Sequence, residues 1–183
     1  MTAAPQDPTG PGIASGVTAS LDELMAQALA IEIEAAERYG ELADVMETHN
    51  NRDVAALFRR MQHIEGLHAA QIREEMGWAE GVSPRVPAMH AGTEGPETVA
   101  HDDVHYLMQP YHALAVALAA EERAERFFSE LARIAMADSV REAARLLAAE
   151  ESEHVQLVRE WMNKVPQPDS DWAVDPDPPR YID

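Results

Sequence analysis

Apolar positions recur every three or four residues in four long runs of this chain, the period of amphipathic helices. In the first run Met25, Ala28, Leu29, Ala35, Tyr39, Leu42 and Met46 make one stripe that ends near Glu47. Ser20 precedes it as an N-cap, and Glu23, three residues on, completes a capping box. The second run carries Leu57, Phe58, Met61 and Ile72 from an expected N-cap at Asp53 to Met76, where Gly77 stops it. A third is expected from Pro110, acceptable in a first turn, to Ala137. The fourth follows Ser139 as N-cap, aligns Val140, Ala143, Leu147 and Val158, and ends near Lys164. Residues 78–109 are rich in Gly and Pro, with one short helix expected over 102–108. Two antiparallel helix pairs joined by one long crossover predict an all-α four-helix bundle.

With 183 residues, one domain is expected. Residues 1–19, with little to bury, are expected to be a disordered arm; 20–164 form the bundle; 165–183 make an acidic, Pro-rich tail whose Trp172 and Tyr181 either stay solvated or pack on the bundle. A net charge of -19 opposes nucleic acid and anionic lipid, so neither is an expected partner. The absence of cysteine removes disulfides, thiolate metal sites and thiol catalysis together. Without a signal-like start or an apolar run of about 18 residues, a soluble cytoplasmic protein is expected.

The second helix pair repeats the first. "MAQALAIEIEAAERYGELA" (25–43) aligns without gaps with "LAVALAAEERAERFFSELA" (114–132), placing Glu32 over Glu121 and Tyr39 over Phe128. "VAALFRRMQHIEGLH" (54–68) aligns with "VREAARLLAAEESEH" (140–154), placing Glu65 over Glu151 and His68 over His154. These are the two Glu-x-x-His motifs of the chain, and both interrupt apolar stripes. Glu34, Glu37, Glu41, Glu74 and Glu160 fall off the stripes, as a solvated face requires.

Level matching brings the motif residues together. Glu32 lies 17 residues before a turn near His49 and Glu65 lies 16 after it, while Glu121 and Glu151 each lie 15 from a turn near Met136. At about 1.5 Å per residue, each pair of carboxylates meets at one height. Each His projects from nearly the same side as its Glu. Four converging carboxylates need compensation, since burying one unpaired charge costs on the order of several kcal/mol. Two divalent cations balance Glu32, Glu65, Glu121 and Glu151, and His68 and His154 add one nitrogen to each ion. Oxygen and imidazole donors without sulfur favour iron or manganese, with adventitious zinc the other candidate.

One Glu on each of two helices and a Glu-x-x-His on each of the others is the di-iron carboxylate pattern of ferritin-like bundles. Within that group "AIEIEAAERYGELA" followed by "IEGLH" resembles the rubrerythrin-type helix pair, over about residues 20–164. The resemblance implies two Fe ions, Glu32 and Glu121 as terminal ligands, Glu65 and Glu151 as bridging ligands, and His68 and His154 as nitrogen ligands. It implies a di-iron oxidoreductase that reduces hydrogen peroxide or dioxygen, assembled as a homo-oligomer, a dimer being expected. Rubrerythrins typically carry a further carboxylate one turn after the third-helix ligand, where this chain has Ala124, and commonly a four-cysteine rubredoxin domain. Without cysteines, electrons must come from an external donor. The rival classes are a ferritin-like ferroxidase, an oxygen-activating hydroxylase and an inactive metal-binding bundle.

Tyr39, two turns after Glu32, either hydrogen-bonds a ligand carboxylate or is a core aromatic. His101 and His105, with Asp102, have the spacing to clasp a metal on a short helix, but surface histidines are the simpler reading. His49, His63, His90 and His112 lack partners at ligand spacing and are read as ordinary polar positions.

Overall fold

The computed structural model describes residues 20–81, 95–100 and 103–174. Four helices carry the fold: α1 (Leu21–Thr48), α2 (Arg52–Met76), α3 (Pro110–Ile134) and α4 (Asp138–Met162), with no strand among the described residues. α1 packs along α2 and α3 along α4, and the pairs meet through α2 with α3 and α1 with α4. The architecture is the all-α ferritin-like bundle.

Helix ends show where local chemistry decides. The capping box at Ser20 closes, with Glu23 N donating to Ser20 Oγ and Ser20 N donating to Glu23 Oε2, both at 3.2 Å. Gly77 ends α2 at a φ of 65°, a left-handed conformation that costs glycine little. The other caps differ from expectation. α2 is capped by Asn51, after Asn50 turns the chain at φ 57°, so Asp53 lies within its first turn. The Asn51 amide is used elsewhere: Nδ2 donates to Met108 O at 2.7 Å, tying the start of α2 to the end of the crossover. α4 is flanked by Ala137, and Ser139 sits inside the helix; Arg141 donates to Ala135 O and Met136 O, satisfying carbonyls of the tight connection.

Asp103 is in a 3₁₀ conformation and residues 104–108 hold a single turn, where one short helix was expected over 102–108. His105 Nδ1 accepts from Leu107 N at 3.2 Å, which withdraws that N–H from a helical ladder. The tail folds back: Trp172 lies tilted against His112 at 3.7 Å between ring centroids, meets His105 edge-on at 5.6 Å, and packs on the core. The expected arm at 1–19, together with His90, His101, Asp102 and Tyr181, lies outside the described residues.

The core has two apolar layers. One joins Tyr39, Leu42, Met46, Phe58 and Met61 to Val99, Met108, Leu114 and Val158. The other joins Leu24, Leu29 and Ile72 to Phe128, Leu131, Val140 and Leu147. Each fully buried Leu or Phe contributes about 1.5–3 kcal/mol, so these layers hold the four rods in register. Midway along every helix, between the layers, the apolar stripe is broken by acid.

Candidate metal centre

That interruption holds all six residues singled out by the repeat. Glu32 comes from α1, Glu65 and His68 from α2, Glu121 from α3, and Glu151 and His154 from α4. The four carboxylates are buried. His68 Nδ1 lies 3.3 Å from Glu65 Oε2 and 3.9 Å from Glu32 Oε2. His154 Nδ1 lies 3.3 Å from Glu121 Oε2 and 3.4 Å from Glu151 Oε2. The two imidazoles stack on each other, 4.4 Å between centroids and 12° between planes, so the two motifs meet across the bundle.

Donor atoms cluster at metal-binding range. One atom each of Glu65, His68 and His154 lie within 4.8 Å of one another, and so do those of Glu121, Glu151 and His154. The halves are not equal in exposure. The His68 side chain is 25% exposed and lines a cavity of about 330 Å³, whereas His154 is 12% exposed. Gln71, Glu75 and Glu150 give that cavity polar walls, and Leu21, Met25 and Leu147 give it apolar ones.

Burial and mutual repulsion set the electrostatics. Burial raises the Glu32 carboxyl well above its usual range, and the charges of Glu65 and Glu151 raise it further. Burial likewise pushes Glu121 up to about 7, against the hydrogen bond from His154 that lowers it. For His154, burial acts downward, but hydrogen bonds to Glu121 and Glu151 outweigh it and push the imidazole up to about 11. Protons crowd into a place built for positive charge.

The donor set fits a pair of divalent cations. Glu32 Oε2, Glu65 Oε1 and Glu121 Oε1 are buried with no hydrogen-bond partner, and Glu151 Oε2 has only the 3.4 Å approach of His154 Nδ1. Buried polar atoms are normally satisfied, and an isolated carboxylate oxygen is among the costliest exceptions. Hard oxygen donors with two imidazoles suit divalent first-row metal ions such as iron, manganese or zinc.

One member of this centre was not foreseen. Glu97, from the crossover, is 1% exposed, and both of its oxygens are buried without a partner. One oxygen each of Glu65, Glu97 and Glu121 lie within 4.8 Å of one another, as do those of Glu32, Glu97 and Glu151. Burial raises its carboxyl well above the usual range, with Glu32, Glu65, Glu121 and Glu151 adding to the effect. In sequence Glu97 is a lone acid in a Gly/Pro-rich stretch with no helical period; its one signal is the apolar Val99 two residues on, itself buried. Glu34 also departs from the simple solvated face: its Oε1 accepts from Thr98 Oγ1 at 2.7 Å and from Gly95 N at 3.3 Å.

Tyr39 takes the core role. It stacks on Phe58 at 6.1 Å between centroids, and its buried hydroxyl has no hydrogen-bond partner. Burial raises its pKa well above the usual value, and the nearby charges of Glu121 and Glu65 raise it further. His49 and His105 are engaged with Tyr106, and His112 with Trp172.

Comparison with known proteins agrees with this arrangement. A family model described as rubrerythrin matches residues 23–91 and 112–176. Among solved structures, an uncharacterized conserved protein from Magnetospirillum magnetotacticum MS-1 is 40% identical, with a TM-score of 0.61 over 82% of this chain and 98% of that one. A hypothetical protein from Pyrococcus furiosus, 24% identical, has a TM-score of 0.52 over 84% of this chain and 95% of that one, a likeness of fold. No curated protein matches the chain significantly.

Proposed function

Because the chain belongs to the rubrerythrin family of the ferritin-like di-iron superfamily, we propose that it is a di-iron oxidoreductase that reduces hydrogen peroxide, or dioxygen, with electrons from an external donor. The observation that carries this reading is the layer of buried carboxylates, with oxygens left unsatisfied, flanked by two stacked imidazoles. Glu32, Glu65 and His68 would hold one iron and Glu121, Glu151 and His154 the other, with Glu65 and Glu151 shared between them. When bound, two ferrous ions supply the two electrons that convert peroxide and two protons into two waters.

The protein's own part is to position, shield and admit. The apolar layers above and below exclude water from the buried carboxylates, which strengthens every charge interaction inside. The cavity reaches the centre at His68, the more exposed imidazole. Its polar mouth at Gln71, Glu75 and Glu150 suits a small hydrogen-bonding oxidant. The chain contains no cysteine and therefore no thiolate-bound redox centre of its own, so a separate redox protein or small reductant returns the electrons. A cytoplasmic setting would supply such donors, and no helix of the described residues is long and apolar enough to cross a membrane.

Stopped-flow mixing of the Fe(II)-loaded protein with hydrogen peroxide, and separately with air-saturated buffer, tests the reading. Oxidation by peroxide is expected to be the faster. A peroxide reaction much slower than the dioxygen reaction would overturn the peroxidase assignment.

A further inference from the structure

We infer that Glu97 is a fifth carboxylate ligand of the metal centre, delivered by the crossover and held there by a clasp of Glu34 and Arg123. The inference rests on the reading of the centre as a metal site and adds a residue to it. The family match leaves out residues 92–111, so nothing in that likeness assigns a role to Glu97.

The geometry is specific. Glu97 shares one close set of donor atoms with Glu65 and Glu121 and another with Glu32 and Glu151, so it lies within 4.8 Å of carboxylates from all four helices. Among the described residues no close set joins it to a histidine. The imidazoles therefore serve one flank of the carboxylate layer and Glu97 the other. Neither of its oxygens has a hydrogen-bond partner, although it lies on a connecting segment that could have turned the side chain to solvent. A buried acid left without donors on a loop is placed for a cation.

What keeps it inward is the backbone on either side. Arg123 of α3 donates from Nε to Pro96 O at 3.0 Å and from Nη2 to Thr98 O at 2.9 Å, gripping both neighbours of Glu97. Glu34 of α1 accepts from Thr98 Oγ1 and Gly95 N on the same turn. Gly95 fits because a Cβ there would meet Glu34 Oε2 at 3.0 Å and Thr98 Oγ1 at 3.2 Å. Glu34 and Arg123 occupy the same position of the internal repeat, two residues after Glu32 and Glu121. A single peptide crossing between two similar helix pairs offers donors to one side and carbonyls to the other. The repeat meets it with an acceptor in the first half and a donor in the second.

Titration of the metal-free full chain with Co(II), followed by calorimetry and visible absorption, tests the assignment without reference to turnover. The wild type is expected to take up two Co(II). Glu97→Gln, nearly isosteric, is expected to weaken at least one of them by about tenfold or more, the scale on which even residues that only orient a ligand act. Its ligand-field bands should change, and the metal-free variant should melt no lower than the wild type, because Gln keeps the shape of the side chain and the lost oxygen made no hydrogen bond. Arg123→Gln should weaken Co(II) binding in the wild-type background and add nothing in the Glu97→Gln background. Unchanged Co(II) affinity and spectrum in Glu97→Gln would overturn the ligand assignment while leaving the six-residue centre standing. A metal-free Glu97→Gln variant that melts well below the wild type would overturn it in favour of a packing role. Additive effects of the two substitutions would overturn the clasp. Failure of the wild type to bind two Co(II) would overturn the centre itself, and Glu97 with it.

Discussion

The two helix pairs are copies in sequence yet unequal halves of the centre. In the second half His154 is held between Glu121 and Glu151 at 3.3 and 3.4 Å, half as exposed as its counterpart. In the first half His68 sits 3.3 Å from Glu65 but 3.9 Å from Glu32, and it forms part of a cavity wall. At the aligned aromatic position the first half has Tyr39, with a stranded hydroxyl, and the second has Phe128. At another it has Glu34 against Arg123. Repetition supplies a ligand set at low cost in sequence, and small departures from it give the centre an open side, a closed side and a fixed crossover.

Removing the shared element of both halves should have the largest effect. Glu65→Ala combined with Glu151→Ala is expected to abolish binding of both metal ions. Metal analysis that still found two ions per chain would refute the role given to these carboxylates. Next in size is Phe128→Ala, which opens a cavity in the second-half apolar layer and should cost about 3–5 kcal/mol with or without metal. Denaturant melts in both states measure it, and a loss confined to the metal-bound form would mean that the layers are not independent of the centre.

The pH response sharpens the contrast, because Glu121 and His154 both lie in the second half. Glu121 is raised from a usual 4.5 to about 7, and His154 from a usual 6.5 to about 11. Both groups bind protons more tightly folded than unfolded. Their contribution to the stability of the metal-free protein is therefore fully present below about pH 4.5 and is lost as pH rises through 7 and toward 11. Its melting temperature should fall by several degrees between pH 5 and pH 8. Bound metal displaces these protons, so affinity should rise over the same interval. Thermal melts across that range would contradict the assignment if the metal-free protein became more stable with pH.

The smallest effect expected is that of Tyr39→Phe, which makes the first half resemble the second. Deleting a buried hydroxyl without a partner should stabilise the metal-free protein by about 1 kcal/mol. A loss of similar size in chemical denaturation would mean that the hydroxyl has a partner when the protein is in solution.

Much of this was legible in the chain itself. Four stripes, the closed capping box at Ser20, the stop at Gly77 and the common height of Glu32, Glu65, Glu121 and Glu151 follow from helical rise and period. The caps of α2 and α4 were less legible, because Asn51 and Arg141 spend their side chains on the crossover and the α3–α4 connection rather than on a local motif. The turn within 104–108 follows the same rule, with a histidine nitrogen competing for a backbone N–H.

Local periodicity determined the helices, their buried faces and the six-residue constellation, since an α-helix converts spacing directly into direction. Tertiary structure alone decided that Glu97 enters the centre, that Glu34 and Arg123 grip the segment carrying it, and that Trp172 returns to the bundle. A connecting segment has no fixed period, so the direction of its side chains is set by contacts as far apart in sequence as Glu34 and Thr98, 64 residues, and becomes readable once those contacts exist.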